Sequence, residues 1–502
     1  MMNKLLILLL CVLLLLAGCG KQEPGICVHT DADDNGICDV CVENLLVTVD
    51  FYTINDLHGK ITDDAFQPGV DELTTYLKHA RNNNDHVILL STGDMWQGSA
   101  ESNLTSGLLT TEWMNELDFA AMTLGNHEFD WGEKSIQNND SIAKFPFLAI
   151  NVYERSDNTL ADYCDPSVLV DLGKIQIGII GAIGDCYSSI SADKTEDLYF
   201  KVGKELTQLV MAESQKLRAD GADFIVYLLH DGFGESKGNS TTNIKSTQLA
   251  SYYDVALSNG YVDLVFEGHT HQRYLLRDIH GVYHLQNKGE NKGLSHTEIE
   301  INSLTGTARV SQADLISSGD YALLEDDPIV DDLLSKYDDL IAPSREILGT
   351  NREARSSWEL KQIVADQYYA LGMKLWGDQY DIALGGGFIS VRSPYELPAG
   401  EVKYGQLQML LPFDNQLVLC SVKGRELRSK FFESNNDNYF IYYGDYGADL
   451  KDRIDPDATY YLVTDTYTSL YAPNKLTEIA RYDSNVFARD LIADFIQAGG
   501  LQ

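Results

Sequence analysis

Basic residues are scarce in this chain of 502 residues: 38 Lys and Arg stand against 75 Asp and Glu, a formal net charge of −37. Nucleic acid polymers are bound through Lys and Arg that neutralise phosphates, so this balance argues against such a partner. Proline is sparse, with 11 residues, and the hydrophobic fraction is 44%. This composition excludes a collagen-like, a low-complexity and a mostly disordered protein. The length allows two to four domains.

Long hydrophobic runs are confined to the N-terminus, which reads MMNKLLILLLCVLLLLAGC. The apolar run Leu5–Leu16 is too short to cross the roughly 30 Å of a bilayer core, and with Lys4 before it the segment is typical of a secretory signal. Leu-Ala-Gly followed by Cys19 resembles a bacterial lipoprotein signal, which implies lipidation of Cys19 and anchoring to the extracytoplasmic side of the cell membrane. The alternative is simple cleavage beside an incidental cysteine.

The signal holds two of the 8 cysteines, and three others lie close together in residues 27–41. Cys27, His29, Cys38 and Cys41 form a pattern that could hold a tetrahedral zinc ion. Asp31, Asp33, Asn35 and Gly36 instead match the first half of a calcium loop, although its twelfth position is Val42 rather than Glu. A third alternative is an acidic spacer with one disulfide, which export would permit.

From residue 46 onward, five short apolar runs each end in Asp, Asn or His. Continuous apolar runs of this length are typical of strands buried on both faces, and the helical patterns Gly107–Leu117 and Lys204–Arg218 between them predict an α/β sandwich. Ligands gather at the carboxyl ends of such strands, where loops converge. The predicted strands are Leu46–Ile54, His86–Ser91, Ala121–Leu124, Phe224–Leu229 and Val262–Phe266.

The motifs after these strands are, in order, Asp-x-His, Gly-Asp, Gly-Asn-His-Glu, His and Gly-His-x-His. This series resembles the calcineurin-like metallophosphoesterases. The resemblance implies a four-layer α/β/β/α sandwich with two divalent ions, for which zinc, manganese and iron all suit the ligands. It implies that one ion is held by Asp56, His58, Asp94 and His271, and the other by Asp94, Asn126, His230 and His269. His127 is then expected to face the phosphate, with Asp130 orienting its imidazole.

The second half begins with a polar stretch, after which residues 328–341 predict an amphipathic connecting helix. A further helix and the strand Ile382–Leu384 come next, and the strand is followed by Gly385-Gly386-Gly387. These glycines form a tight turn if they bind no phosphate. Farther along the chain stands Leu411-Pro412-Phe413-Asp414-Asn415. These motifs resemble the C-terminal domain of the 5′-nucleotidases, which binds the nucleoside through Arg side chains and two aromatic rings. The resemblance implies substrate-binding roles for Arg355 (with Arg352 as the alternative), Arg392, Phe413, and either Tyr467 or Tyr471.

Three departures from the 5′-nucleotidase pattern concern the substrate. Leu384 replaces an Asn before the glycines, and Phe388-Ile389-Ser390 follows them without the usual Arg, for which Arg392 is the candidate replacement. The usual Gly-Gly-Asp-Gly-aromatic segment is also absent. We expect an enzyme that hydrolyses extracellular nucleotides to nucleoside and phosphate. The alternatives are a 2′,3′-cyclic nucleotide phosphodiesterase, a UDP-sugar hydrolase and a non-catalytic nucleoside-binding lipoprotein.

The sequence thus predicts five segments. They are a signal peptide at 1–19, an acidic Cys-rich spacer at 20–44, a catalytic metallophosphoesterase domain at 45–310, a linker with a connecting helix at 311–345, and a smaller α/β substrate-binding domain at 346–502.

Overall fold

Two six-stranded sheets pack face to face in the first part of the chain. In this computed structural model the described residues are 27–63, 68–232, 255–388, 396–432, 439–442, 444, 447, 450–470, 476–483 and 485–502. The first sheet has four parallel strands and two antiparallel strands at one edge, and the second has four parallel strands with one antiparallel strand at each edge. The first sheet runs, in spatial order, Ala308–Ser317, Gly293–Asn302, Leu46–Ile54, Val87–Ser91, Ala121–Thr123 and Phe147–Leu148. The second runs Tyr274–Arg277, Tyr283–Gln286, Leu264–Glu267, Phe224–His230, Gln176–Ile183 and Ser167–Asp171.

Apolar side chains fill three separate layers around these sheets. Between the sheets Phe51 packs against Phe224 and Phe266, with ring centroids 6.3 and 6.4 Å apart. The outer face of the first sheet is covered by helices that bury residues such as Trp113, and the outer face of the second by a helix that buries Val210. The predicted α/β/β/α sandwich is therefore confirmed. The helices of this part are Asp71–Asn83, Ala100–Leu104, Leu108–Glu116, Glu133–Asp140, Lys204–Ala219 and Val255–Ser258, and a small ribbon pairs Val152–Glu154 with Leu198–Phe200.

The structure shifts several predicted boundaries by one or two residues. The strand predicted as Val262–Phe266 is Leu264–Glu267, and His230 is the last residue of its strand rather than the first residue of the loop. The predicted connecting helix over 328–341 is divided at Tyr337 into Pro328–Lys336 and Asp338–Ile341. The Tyr337 hydroxyl donates to Glu112, 2.9 Å away, which ties the break to the first domain.

A five-stranded sheet forms the centre of the second part. Its strands, in spatial order, are Tyr439–Tyr442, Ile382–Phe388, Thr459–Asp465, Leu417–Lys423 and Thr477–Arg481. A ribbon pairs Ile347–Asn351 with Gly400–Lys403, and the helices are Ser357–Trp376, Tyr404–Leu410, Gly424–Leu427, Leu450–Arg453, Thr466–Leu470 and Ala488–Gln497. Among the described residues, no helix has both the length and the apolar character that crossing a bilayer requires.

The three glycines at 385–387 continue a strand and do not form the tight turn that was one of the alternatives for them. The strand runs unbroken from Ile382 to Phe388. A Cβ atom at Gly385 would lie 2.5 Å from the carbonyl oxygen of Ala365 and from the backbone nitrogen of Tyr369, both in the helix Ser357–Trp376. Glycine is required at 385 because the helix backbone packs directly on the strand.

Candidate metal centre and substrate cavity

The seven predicted metal ligands converge at the carboxyl ends of strands from both sheets. Five of them have the left-handed backbone conformation, with φ between 51° and 69°: Asp56, His58, Asp94, His269 and His271. This conformation costs a non-glycine residue about 1–2 kcal/mol, and it persists only where neighbouring contacts impose it. Two such contacts are the hydrogen bonds from the Asp56 nitrogen to the Gly93 carbonyl and from the His58 nitrogen to the Asp94 carbonyl, both 3.0 Å.

One group of ligand atoms belongs to Asp56, His58 and His271, and these atoms all lie within 4.8 Å of one another. His58 Nδ1 is 2.7 Å from the carbonyl oxygen of Gln97. Since a carbonyl only accepts, Nδ1 carries the proton and Nε2 has the lone pair that a metal requires. His58 Nε2 is 3.1 Å from His271 Nε2, which in turn is 3.5 Å from Asp56 Oδ1.

The second group contains Asp94, Asn126, His230 and His269. His230 Nε2 is 3.2 Å from Asp94 Oδ2 and 3.2 Å from Asn126 Oδ1, and the same amide oxygen is 2.9 Å from His269 Nδ1. His230 Nδ1 donates to the Thr92 carbonyl, 2.6 Å away, so Nε2 is the ring nitrogen directed at the group. Asp94 connects the two groups because its carboxylate, that of Asp56 and the His230 ring lie within 4.8 Å of one another.

The chemistry of these donors fits divalent cations. Burial alone would raise the pKa of the Asp94 carboxyl, but the neighbouring His230 and His127 hold that pKa well below its usual range, so the group is an anion. Burial and the charge of His230 lower the pKa of His269 to about 4, which leaves this imidazole neutral at physiological pH. Buried carboxylates and imidazoles that face one another at contact distance are the set that zinc, manganese and iron accept.

Glu128 holds the loops that carry these ligands. Its buried carboxylate accepts hydrogen bonds from the backbone nitrogens of Asp94, Met95 and Gly125, at 2.7–2.8 Å. Burial and the negative charge of Asp94 raise the pKa of Glu128 to about 7. Glu128 therefore organises two of the loops without itself supplying a ligand.

His127 occupies the position expected of a group that faces the substrate. Its backbone nitrogen donates to Asp94 Oδ1 at 2.8 Å, and its Nδ1 is 2.8 Å from Asp130 Oδ2. The imidazole lines the cavity beside the ligands, with its centroid 5.3 Å from that of His58. The Asp130 carboxylate thus fixes the orientation of the ring.

Cys186 was not predicted from the sequence, although it lies beside the second group. Its Sγ is within 4.8 Å of ligand atoms of His230 and His269, and it donates to the His230 carbonyl at 2.9 Å. Burial and the charge of Asp231 raise the pKa of this thiol well above its usual value, so Cys186 is a neutral neighbour of the ligands.

A cavity of about 760 Å³ extends from the metal ligands to the second part of the chain. Phe413 and Tyr467 line it with rings that are nearly parallel, at a centroid distance of 6.1 Å and an interplanar angle of 11°. Phe413 also stacks on His127 at 5.8 Å. The cavity lies in the size range of small-molecule sites and combines the ligand cluster with an aromatic pair.

The other predicted substrate-binding residues are not found among the described residues that line this cavity. Arg355 is not among its lining residues, and the Arg355 Nε donates to Asn351 Oδ1 at 3.0 Å. Arg392 and Tyr471, like the predicted lipidation site Cys19, lie outside the described residues.

Sequence analysis overlooked three basic residues that line the cavity, namely Lys194, Lys361 and Arg481. Arg481 ends an edge strand, and its guanidinium donates to Gln416 and Glu478, each at 3.0 Å. Its surroundings in the sequence match no motif, so nothing local distinguishes it from a surface charge. Arg489 was overlooked as well, and it donates to the Leu411 carbonyl and the Asp414 carboxylate at 2.9 and 2.8 Å, which fixes the loop that carries Phe413.

Comparison with known proteins identifies the first domain. Residues 50–273 match the calcineurin-like phosphoesterase family, and this part of the chain is a metallophosphoesterase domain. The endonuclease YhcR of Bacillus subtilis (strain 168) is 25% identical over 488 residues, which cover 86% of this chain and 38% of that protein. A snake venom 5′-nucleotidase from Gloydius brevicauda is 30% identical over 184 residues, 36% of this chain and 30% of the relative. The chain thus spans 38% and 30% of the lengths of these two relatives.

The fold of the whole chain is shared with a 5′-nucleotidase precursor from Thermus thermophilus. The two structures superpose with a TM-score of 0.67 at 18% sequence identity, over 90% of this chain and 96% of that one. At this identity the likeness shows the architecture alone. It agrees with the predicted arrangement of an α/β sandwich followed by a second α/β domain.

Proposed function

We propose that this protein is a divalent-metal-dependent phosphoester hydrolase that converts extracellular nucleotides to nucleoside and phosphate. The observation that carries the proposal is the single cavity of about 760 Å³, which has the ligand cluster at one end and the aromatic pair Phe413 and Tyr467 at the other. A nucleotide has the matching polarity, since its phosphate suits a cationic centre and its base suits an aromatic slot. A relative named snake venom 5′-nucleotidase is 30% identical to this chain over 184 residues, which supports this substrate class.

The proposed centre holds two ions, one at Asp56, His58, Asp94 and His271 and the other at Asp94, Asn126, His230 and His269. Bound cations would supply Lewis-acid polarisation of the phosphoryl oxygens and a lowered pKa for an attacking water. The protein supplies the rest. His127, oriented by Asp130, stabilises charge on the phosphoryl group or gives a proton to the leaving oxygen.

In this proposal the second domain recognises the nucleoside. The Phe413 and Tyr467 rings are nearly parallel, with centroids 6.1 Å apart, and they offer flat aromatic faces on which a base can stack. Lys194, Lys361 and Arg481 place positive charge on a cavity that belongs to a chain of net charge −37. They offset the field that would otherwise repel a phosphorylated ligand.

We propose that export and attachment to the membrane rest on residues 1–19, with Cys19 as the lipidated residue. The support is the order of Lys4, the apolar run and the cysteine after Leu-Ala-Gly. Cys19→Ala should then move the protein from the membrane fraction to the medium or the periplasm. Unchanged membrane association of Cys19→Ala would refute the lipid anchor.

Phosphate release from a panel of substrates tests the hydrolase proposal. The panel contains AMP, a 2′,3′-cyclic nucleotide and UDP-glucose, each assayed before and after chelation and after divalent ions are restored. We expect release from AMP, loss on chelation and recovery with the metal. Asp94→Asn should lower release by orders of magnitude, since Asp94 belongs to both ligand groups.

The outcomes separate the candidates. Preference for the cyclic nucleotide or for UDP-glucose would keep the metal centre and replace the substrate. Nucleoside binding without turnover on any phosphoester would instead indicate the binding lipoprotein. Full activity after exhaustive chelation would contradict the metal mechanism itself.

A further inference from the structure

The cysteine-containing segment 27–45 is built onto the catalytic domain, although the proposed function does not use it. The Asn302 side-chain amide, at the end of a strand of the first sheet, donates to Asp31 at 2.6 Å and to Asp34 at 2.8 Å. The Ser303 nitrogen also donates to the Leu45 carbonyl, 2.9 Å away. The segment therefore has a fixed position against the turn that follows Asn302.

Four potential ligands of this segment point at a common centre. Cys27 Sγ is 3.9 Å from Cys38 Sγ, and Cys41 Sγ is 3.5 Å from His29 Nδ1. All four donor atoms lie within 4.8 Å of one another. With zinc–sulfur bonds of about 2.3 Å and zinc–nitrogen bonds of about 2.0–2.1 Å, a regular tetrahedron has edges of about 3.8 Å between two sulfurs and about 3.6 Å between sulfur and nitrogen. The Cys27–Cys38 and Cys41–His29 separations lie close to these edges.

The backbone around the cluster holds the ligands in place. The Cys38 nitrogen donates to the Glu43 carbonyl and the Val42 nitrogen to the Cys38 carbonyl, both at 2.9 Å, which closes a tight turn around the second pair of cysteines. The Glu43 carboxylate lies 3.6 Å from His29 Nε2, on the opposite side of the ring from Nδ1. Zinc-binding histidines are commonly oriented by a carboxylate at their second nitrogen.

The same distances weigh against the two alternatives. A disulfide requires sulfurs about 2.05 Å apart, whereas Cys27 and Cys38 are separated by 3.9 Å. In the calcium alternative Asp31 would be the first ligand. Its carboxylate oxygens already accept hydrogen bonds from the backbone nitrogens of Asn35 and Gly36 and from the amide of Asn302. The match of this segment to a calcium loop also fails at the twelfth position, which is Val42 where a bidentate Glu is expected.

We propose that Cys27, His29, Cys38 and Cys41 bind one structural zinc ion that cross-links the N-terminal segment 27–45. The contacts of Asn302 and Ser303 hold this segment against the catalytic domain. Three thiolates and one imidazole complete a four-coordinate site, which leaves no position for a substrate. The ion joins Cys27, at the start of the described chain, to the turn that leads into the first strand. Its role is mechanical and independent of phosphate release.

Zinc content per chain tests the proposal on the full-length protein. Cys38→Ser and Cys41→Ser should each hold one zinc equivalent less than the parent, measured by mass spectrometry of the metal after dialysis against metal-free buffer. Cys420→Ser is the matched control, because Cys420 is a buried thiol of the second domain that belongs to none of the metal-ligand groups found among the described residues. The same difference of one equivalent should persist in an Asp94→Asn background, which separates this ion from those of the catalytic centre.

Cobalt substitution and a ligand exchange distinguish the loss of a zinc ligand from unfolding of the variant. Cobalt bound to three thiolates gives an intense sulfur-to-metal charge-transfer absorption, which should vanish in Cys38→Ser and persist in Asp94→Asn. His29→Cys should retain the ion, since four cysteines also form an ordinary zinc site, whereas His29→Ala should lose it. Equal zinc content in parent and cysteine variants would overturn the proposal, and so would a Cys27–Cys38 or Cys38–Cys41 disulfide in the parent.

Discussion

Replacing Phe413 with alanine tests whether the second domain recognises the base. Phe413 and Tyr467 face each other at 6.1 Å and 11°, and the other face of Phe413 packs on His127 at 5.8 Å. In the proposed complex the base stacks on the Phe413 ring, which lines the cavity together with Tyr467. Phe413 would then cover one face of the base.

The expected size of the effect follows from the loss of one stacked face. Stacking of a base on an aromatic side chain contributes about 1–3 kcal/mol. Since about 1.4 kcal/mol corresponds to a factor of ten, Phe413→Ala should weaken nucleotide binding by about fivefold to 150-fold. The loss should fall on KM, because the ring contacts the base and not the reacting phosphoryl group.

The assay compares AMP with ribose 5-phosphate, which has the same phosphate and sugar but no base. Phe413→Ala should raise KM for AMP and leave the kinetics of ribose 5-phosphate close to those of the parent. Phe413→Tyr serves as the matched control, because it keeps the ring and should keep the affinity for AMP.

Equal losses on both substrates would refute this reasoning. They would mean that Phe413 supports the His127 ring or the domain contact rather than the base. Full retention of AMP affinity in Phe413→Ala would refute it as well, and would move the base to another part of the cavity.

Two further predictions concern the catalytic imidazole and the pH dependence of stability. His127→Ala should lower turnover by about 10²–10⁴-fold while metal content stays at the parent level; loss of a metal equivalent would show that His127, not Asn126, is the ligand. Burial and the neighbouring carboxylate of Asp326 raise the pKa of Asp71 to about 7. The folded state therefore binds more protons than the unfolded state between about pH 4 and pH 7, and the contribution of Asp71 to stability falls as pH rises through that window. Thermal melts of Asp71→Asn should match those of the parent near pH 4 and exceed them at pH 8, and a lower melting temperature at pH 8 would contradict the assignment.

The sequence by itself determined the first domain and the composition of its metal centre. Strands buried on both faces require continuous apolar runs, and the side chains at their carboxyl ends must converge wherever such strands lie side by side. The apolar runs and the residues that follow them are both short, continuous stretches of sequence. Asp94 and His230 could therefore be chosen without coordinates, although their chain positions differ by 136 residues.

The substrate end of the cavity was decided by tertiary structure alone. Arg481 and Lys361 line it because an edge strand and a helix of the second domain pack there, and neither residue lies in a motif. Arg355 was chosen from a resemblance and lies elsewhere, bonded to Asn351. A positive charge has no periodicity that distinguishes a cavity wall from the protein surface, so only the packing of distant segments assigns it.

Backbone contacts between elements also lay beyond the sequence. For the glycine run starting at Gly385, the sequence left a nucleotide-binding segment and a tight turn open. The structure instead has these residues in a strand, on which the helix Ser357–Trp376 packs closely. Likewise the ligand types of the segment 27–45 allowed zinc, calcium or a disulfide, and the separation of 3.9 Å between Cys27 and Cys38 favours zinc. Residue types state which chemistries are possible, whereas distances between atoms far apart in the chain select among them, because those distances depend on how whole elements pack.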